Sequence, residues 1–266
     1  MLQRSSHHIP AARAIVVVLV GAVAWVGGLA SARAVVIEGD STTGVIDREA
    51  EPTRSSEWTV PACDGAEFVT PADPGTDWDR IVLDPVRRLP SGWEPPDLVD
   101  VPALGRHTNG QVRAIIVDDL VAMHAAAATA GVDFDVVSGF RSDAHQDYVY
   151  NAHNATLPPE DADGPPMVAP PGHSEHQLGT TIDVVHPGEP TLSVDFGSRP
   201  AAAWLDDHAA DHGFIVSYPA GEQATTCYGW EPWHLRWVGA DRAREIESSG
   251  LSPREFLLRE AAGQLP

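Results

Sequence analysis

The chain has 266 residues, 43% of them hydrophobic, which is enough for one catalytic-sized domain with a real core plus appendages. Its 38 acidic residues against 17 basic ones leave a formal charge of −21, which disfavours nucleic acid and anionic membrane surfaces as partners.

At the amino terminus, Arg4 and Arg13 precede an uncharged run from Ala14 to Ala30, followed by Ser31-Ala32-Arg33-Ala34. Residues 1–34 therefore read as a signal peptide or a single membrane anchor, with a buried core helix as the alternative. Cleaved or retained, such a segment places the rest of the chain outside the cytoplasm and confines membrane contact to this stretch. In an exported chain, Cys63 and Cys227 suggest one disulfide, two free thiols being the alternative. Residues 35–76 are rich in acids, Ser, Thr and Pro and poor in large apolar side chains, the composition of a flexible acidic linker.

Order is expected from about Trp78, with a catalytic-type domain over 77–262. WDRIVLDPVRRLP, from Trp78, alternates apolar and polar residues up to a turn. HTNGQVRAIIVDDLVAMHAAAATAG, from His107, predicts a helix of about five turns, capped by Thr108 or Asn109 and ended by Gly131. VDFDVVSGF predicts a strand, and Ser142 the cap of a helix reaching about Asn151. The proline-rich stretch 153–172 has no periodicity and predicts a loop at a rim or lid. TTIDVV predicts a strand, SRPAAAWLDDHAADHG a helix closed by Gly213, and FIVSYP a strand. YGWEPWHLRWVG is expected to be extended, because Pro232 pushes Glu231 out of the helical region. Two short helices finish the chain. Strands and helices mix without regular alternation, so the class is α+β.

PPGHSEHQLGTTIDVV, from Pro170, poses the chemical question: Asp183 stands between Ile182 and Val184 in an otherwise β-branched strand. An ionised carboxylate there is costly to bury unless something pairs with it, a metal ion or a network of hydrogen bonds. His176, Asp183 and His234 would supply two imidazoles and one carboxylate, the three protein ligands of a catalytic zinc with one position left for water. Glu231, three residues before His234, would take that water's proton. On an ideal strand residues three apart face opposite sides, so both reach one ion only if Pro232 forces a twist or bulge. For any single one of the twelve histidines, a surface or core role is the ordinary reading.

Four blocks in order, S-G-F-R-S, G-H-S-E-H-Q-L-G-T-T-I-D, G-F-I-V-S-Y-P and E-P-W-H-L-R-W-V-G, resemble the VanY-type D-alanyl-D-alanine carboxypeptidases of zinc peptidase family M15. R-R-L-P-S-G-W-E-P-P-D-L-V resembles the same family's opening segment, so the likeness runs from about Trp78 to about Gly239. The resemblance implies a small domain with a central antiparallel sheet flanked by helices, of the hedgehog/D-Ala-D-Ala peptidase kind. It puts zinc on His176, Asp183 and His234, the catalytic base on Glu231, and oxyanion stabilisation and substrate binding on Arg141. Ser174 and Gln146 match positions near the substrate. Departures are Phe140 and Thr181, where the family often has Tyr and Ala, and Cys227, where it often has a Thr-Gly pair before the Tyr.

The implied partner is a peptidoglycan stem peptide ending in D-Ala-D-Ala, from which the terminal D-Ala is removed. An L,D-carboxypeptidase, a D,D-dipeptidase or a wall endopeptidase would use the same metal site, and a non-catalytic wall-binding module would use the same fold. Arg236 has two readings, a substrate contact or an ion pair with one of the many acids. His173 is expected at the surface or against substrate, and Trp230, Trp233 and Trp237 in the core and cleft wall.

Overall fold

The computed structural model describes residues 58–104, 110–156 and 164–265. The expected leader at 1–34, most of the expected linker and the expected helix caps Thr108 and Asn109 lie outside these residues. Among them, no helix is long and apolar enough to cross a membrane.

Two short ladders open the domain: β1 (Phe68–Val69) pairs parallel with β2 (Arg87–Arg88), and β3 (Leu98–Asp100) antiparallel with β4 (Gln111–Arg113). Then come α1 (Val117–Thr129), β5 (Asp135–Ser138), α2 (Asp143–Asn154), β6 (Thr181–Val185) and α3 (Pro200–His208). The chain closes with β7 (Phe214–Val216), α4 (Gln223–Thr226), β8 (His234–Trp237), α5 (Ala240–Ser249) and α6 (Pro253–Ala261). The sheet that organises the molecule has the order β5-β6-β8-β7, and every pairing in it is antiparallel. This is the expected α+β class.

Strand periodicity divides the two central strands into a packing face and a polar face. Ile182 and Val184 of β6 and Leu235 and Trp237 of β8 enter the core, where Leu120, Met123 and Ala127 of α1 and Leu205 of α3 cover them. Thr181 and Asp183 of β6, and His234 and Arg236 of β8, take the other face. All four are buried, although all are polar. The register sets Asp183 opposite His234 and Thr181 opposite Arg236.

Several expected boundaries move. Gln111–Arg113, read as the start of the long helix, forms β4 instead, because Leu98–Asp100 offers it an edge to pair with. Ser142 caps α2 as expected, accepting from the His145 N–H, but the helix runs on to Asn154. In WDRIVLDPVRRLP only Arg87–Arg88 pairs as a strand.

The expectation of a flexible linker up to residue 76 fails over 58–76. Trp58 lies beneath the Arg259 guanidinium at 4.6 Å, Phe68–Val69 is a strand, and Cys63 is disulfide-bonded to Cys227. Arg254, from α6, reinforces the tie by donating to the carbonyls of Pro61 and Thr225 and to Asp84. Composition misled because one buried arginine and one covalent bond replace the apolar contacts that ordering a segment usually needs.

Cys227 is the one non-glycine residue with positive φ, 71°, among the described residues. An L-residue is strained there by roughly 1–2 kcal/mol. Removing the disulfide as Cys63→Ser/Cys227→Ser is expected to cost roughly 2–5 kcal/mol in urea unfolding. Cys63→Ser/Cys227→Gly should recover about 1 kcal/mol of that loss by relieving the backbone at 227.

Candidate metal centre

Three elements converge on one point. Asp183 comes from β6 and His234 from β8, directly across the ladder. His176 sits in a 3-10 turn, Glu175–Leu178, whose first residues are held by Ser174, its hydroxyl accepting from the His176 N–H at 3.4 Å. Gly179 ends that turn at φ 72°, so the chain reverses directly into β6.

Both imidazoles are fixed by their far nitrogens. His176 donates Nδ1–H to the Gly139 carbonyl at 2.6 Å, leaving Nε2 facing Asp183 at 3.2 Å. That carbonyl is close because a Cβ on Gly139 would stand 2.3 Å from the Gln111 carbonyl oxygen; only glycine fits. His234 does the reverse: Nε2–H donates to Glu175 Oε2 at 3.0 Å, and Nδ1 faces Asp183 Oδ1 at 3.4 Å.

The donors suit a divalent ion. Bonds of about 2.0–2.1 Å to a tetrahedral ion set neighbouring donors about 3.3–3.4 Å apart, and the observed separations from Asp183 are 3.2 and 3.4 Å. One donor atom from each of His176, Asp183 and His234 lies within 4.8 Å of the others, and all three residues are buried. Two neutral imidazoles and one carboxylate are a zinc-type set.

Glu231 precedes β8. His234 N–H bonds back to the Glu231 carbonyl at 3.2 Å, so Glu231-Pro232-Trp233-His234 is a tight turn rather than strand. That turn resolves the facing problem: Glu231 Oε2 comes 3.4 Å from His234 Nδ1. The Arg141 guanidinium is 4.0 Å from Asp183 Oδ2, and its Nε is buried without a hydrogen-bond partner. The centre opens into a cavity of about 340 Å³ whose lining includes Arg141, Gln146, Ser174, Asp183, Glu231 and His234. Gln146 donates to the Ala169 carbonyl at 2.7 Å, while its Oε1 is buried without a partner. Trp233, Met167 and Tyr218 add apolar wall.

The electrostatics follow from crowding charges in a buried place. Burial opposes ionisation of Asp183, yet His176 and His234 hold it well below the usual range. Burial pushes His176 down to about 4, with the Arg141 charge adding to it. For His234 burial acts the same way, but hydrogen bonds to Asp183 and Glu175 outweigh it and push it up to about 10. Burial pushes Glu231 up to about 8, against the pull of His234.

The structure selects the ion pair for Arg236 and corrects the expectation for His173. Arg236 does not reach the cavity: it is 1% exposed, donates to Glu175 Oε1 at 2.7 Å, and bonds the carbonyls of Trp78 and Ile81. His173 is neither surface nor substrate-facing; it is buried, with its ring nitrogens on the Asp84 carbonyl and Glu67. Thr181, one of the departures from the family pattern, donates its hydroxyl to the Glu175 carbonyl. The residue the sequence reading passed over is Glu175, and its only signal was a carboxylate next to a ligand histidine.

An α+β domain with a two-histidine, one-carboxylate centre, a neighbouring acid and a side cavity defines the class: a mononuclear metallohydrolase architecture. The family described as VanY, D-alanyl-D-alanine carboxypeptidase, matches residues 109–240, a range that holds every residue of this centre. The Bacillus subtilis protein YodJ, a carboxypeptidase by name, is 33% identical over 174 residues, 63% of each chain. The chain thus spans less than two thirds of that relative's length. Among solved structures, the LdcB LD-carboxypeptidase is 31% identical with a TM-score of 0.59, covering 67% of this chain and 84% of that one. The D,D-pentapeptidase VanY of a VanB-type resistance cassette, solved in complex with Zn(II), is 28% identical with a TM-score of 0.55, covering 68% and 99%. The chain belongs to the VanY family.

A pH dependence of stability follows from Glu175. Burial works against its ionisation, but Arg236 and His234 hold it at about 2, below the usual 4.5. A depressed acid stabilises the fold fully above its unfolded value and loses that contribution as pH falls through the folded one. Urea unfolding of the metal-free protein should therefore weaken steeply between about pH 4.5 and 2. The neutral pair Glu175→Gln/Arg236→Gln should show a shallower loss over the same window.

Proposed function

We propose that the protein is a zinc-dependent D,D-carboxypeptidase that removes the C-terminal D-Ala from peptidoglycan stem peptides outside the cytoplasm. The observation that carries this reading is the placement of Glu231, an acid beside a zinc-type donor set, in the lining of a cavity of about 340 Å³. A purely structural zinc site usually fills all four positions with protein ligands and has no use for a base.

His176, Asp183 and His234 would hold the zinc, which supplies Lewis acidity and lowers the pKa of bound water when present. Glu231, buried against the centre, would in its ionised form, which the positive charge of a bound cation favours, accept the water's proton and return it to the departing amine. Arg141 presents a guanidinium with an unused buried N–H beside the centre, suited to the carbonyl oxygen as charge develops on it. Ser174 and Gln146 line the same cavity, where Gln146 Oε1 awaits a donor such as a peptide N–H.

Export is supported by the Cys63–Cys227 bond, which persists in oxidising compartments, and by the apolar run at Ala14–Ala30. An L,D-carboxypeptidase is the second reading, favoured by the likeness to LdcB. Incubating the zinc-loaded protein with muramyl pentapeptide and tetrapeptide separates the two. D-Ala released from pentapeptide alone, and abolished by chelator, is expected. Release from tetrapeptide moves the activity to the L,D class; release from neither, with zinc bound, overturns the carboxypeptidase reading. Glu231→Gln is expected to keep stoichiometric zinc by metal analysis and to lower turnover by roughly 10²-fold or more, whereas His176→Ala should lose the zinc.

A further inference from the structure

Resting on the zinc reading above, we infer that Glu175 is a positioning residue. Its carboxylate fixes which nitrogen of His234 faces the metal, and Arg236 neutralises that carboxylate so that the centre gains no further net negative charge.

The argument is geometric. Histidine can ligate through either nitrogen, and the hydrogen bond made by the other decides which. The two ligand histidines here use opposite nitrogens, Nε2 in His176 and Nδ1 in His234, so each needs its own acceptor. His176 has a backbone carbonyl. His234 has Glu175 Oε2, which also accepts from Ser217 Oγ at 2.6 Å. With Ser217 and His234 on one oxygen and Arg236 on the other, the carboxylate has no rotational freedom left.

Arg236 is held as firmly. Its Nη2 spans the Trp78 and Ile81 carbonyls, each at 2.8 Å. His234 and Arg236 are two apart on β8 and so share a face, which is what lets one carboxylate bridge them. A bare carboxylate behind a ligand would make that ligand more electron-rich and the ion a poorer Lewis acid. The arginine offsets that charge while leaving the hydrogen bond in place.

The test needs variants that fold, since Glu175→Ala alone strands a buried arginine. In a common Arg236→Gln background, Glu175→Gln keeps an oxygen that accepts from His234 and Ser217, and Glu175→Leu removes it. Zinc affinity by chelator competition and the visible spectrum of the cobalt-substituted protein read the centre without reference to turnover. Glu175→Gln/Arg236→Gln is expected to bind zinc within about threefold of the parent protein with an unchanged cobalt spectrum. Glu175→Leu/Arg236→Gln should bind roughly 10–100-fold more weakly with shifted bands. If the folded leucine variant matches the parent in both readouts, or the glutamine variant is as impaired as the leucine one, the positioning role is overturned. A parent protein that binds no zinc overturns the reading of the site itself instead.

Discussion

One pairing governs the arrangement: Asp183 stands opposite His234 in the ladder between β6 and β8. A slip of β6 by a single residue would carry Asp183 to the packing face and bring Ile182 to the polar one, away from His234. The register is held by the buried faces of the two strands, where Ile182, Val184, Leu235 and Trp237 pack under α1 and α3. The hydrophobic core is therefore also what sets the donor spacing of the centre. The acid that looked misplaced within TTIDVV belongs to the polar side of a strand covered on both faces.

Around that pairing, the buried charges are arranged so that none is alone. Asp183 faces two imidazoles, Glu175 faces His234 and Arg236, and Asp84 faces Arg87 and Arg254. Burial makes each group expensive unless its partner is in place, so these networks bind distant segments to the site. Arg236 brings Trp78 and Ile81 to β8, and Arg254 brings residue 61 and residue 225 to α6. Among the buried groups left without partners, Arg141 Nε and Gln146 Oε1 belong to residues that line the cavity. There an incoming peptide would provide what the protein does not.

The turn at Glu231-Pro232-Trp233-His234 shows how local chemistry serves the reaction proposed for the centre. Pro232 keeps Glu231 out of helix, the i to i+3 hydrogen bond closes the turn, and the acid lands beside His234 three residues on. Continued strand would have put the two on opposite faces. The acid's raised proton affinity comes from the same burial that shields the cavity.

The sequence by itself determined the elements whose signals are local: the Ser142 cap, the α1 and α3 stretches, the strands of the main sheet, and the recurrence of His, Asp and Glu in motif order. It also pointed to His176, Asp183 and His234 as candidate donors, because an acid in a β-branched strand has few explanations. Tertiary structure alone decided which polar side chains were structural. Arg236 and His173 carry no local mark that separates a buried clamp from a substrate contact; only the positions of Glu175, Trp78, Asp84 and Glu67 make that distinction. The same holds for residues 58–76, where a disulfide and Arg254 order a stretch whose composition lacks an apolar core. Periodicity reports what a segment does with its own backbone. Long-range pairing of charges is settled only when the chain has folded and burial has made each unpaired group costly.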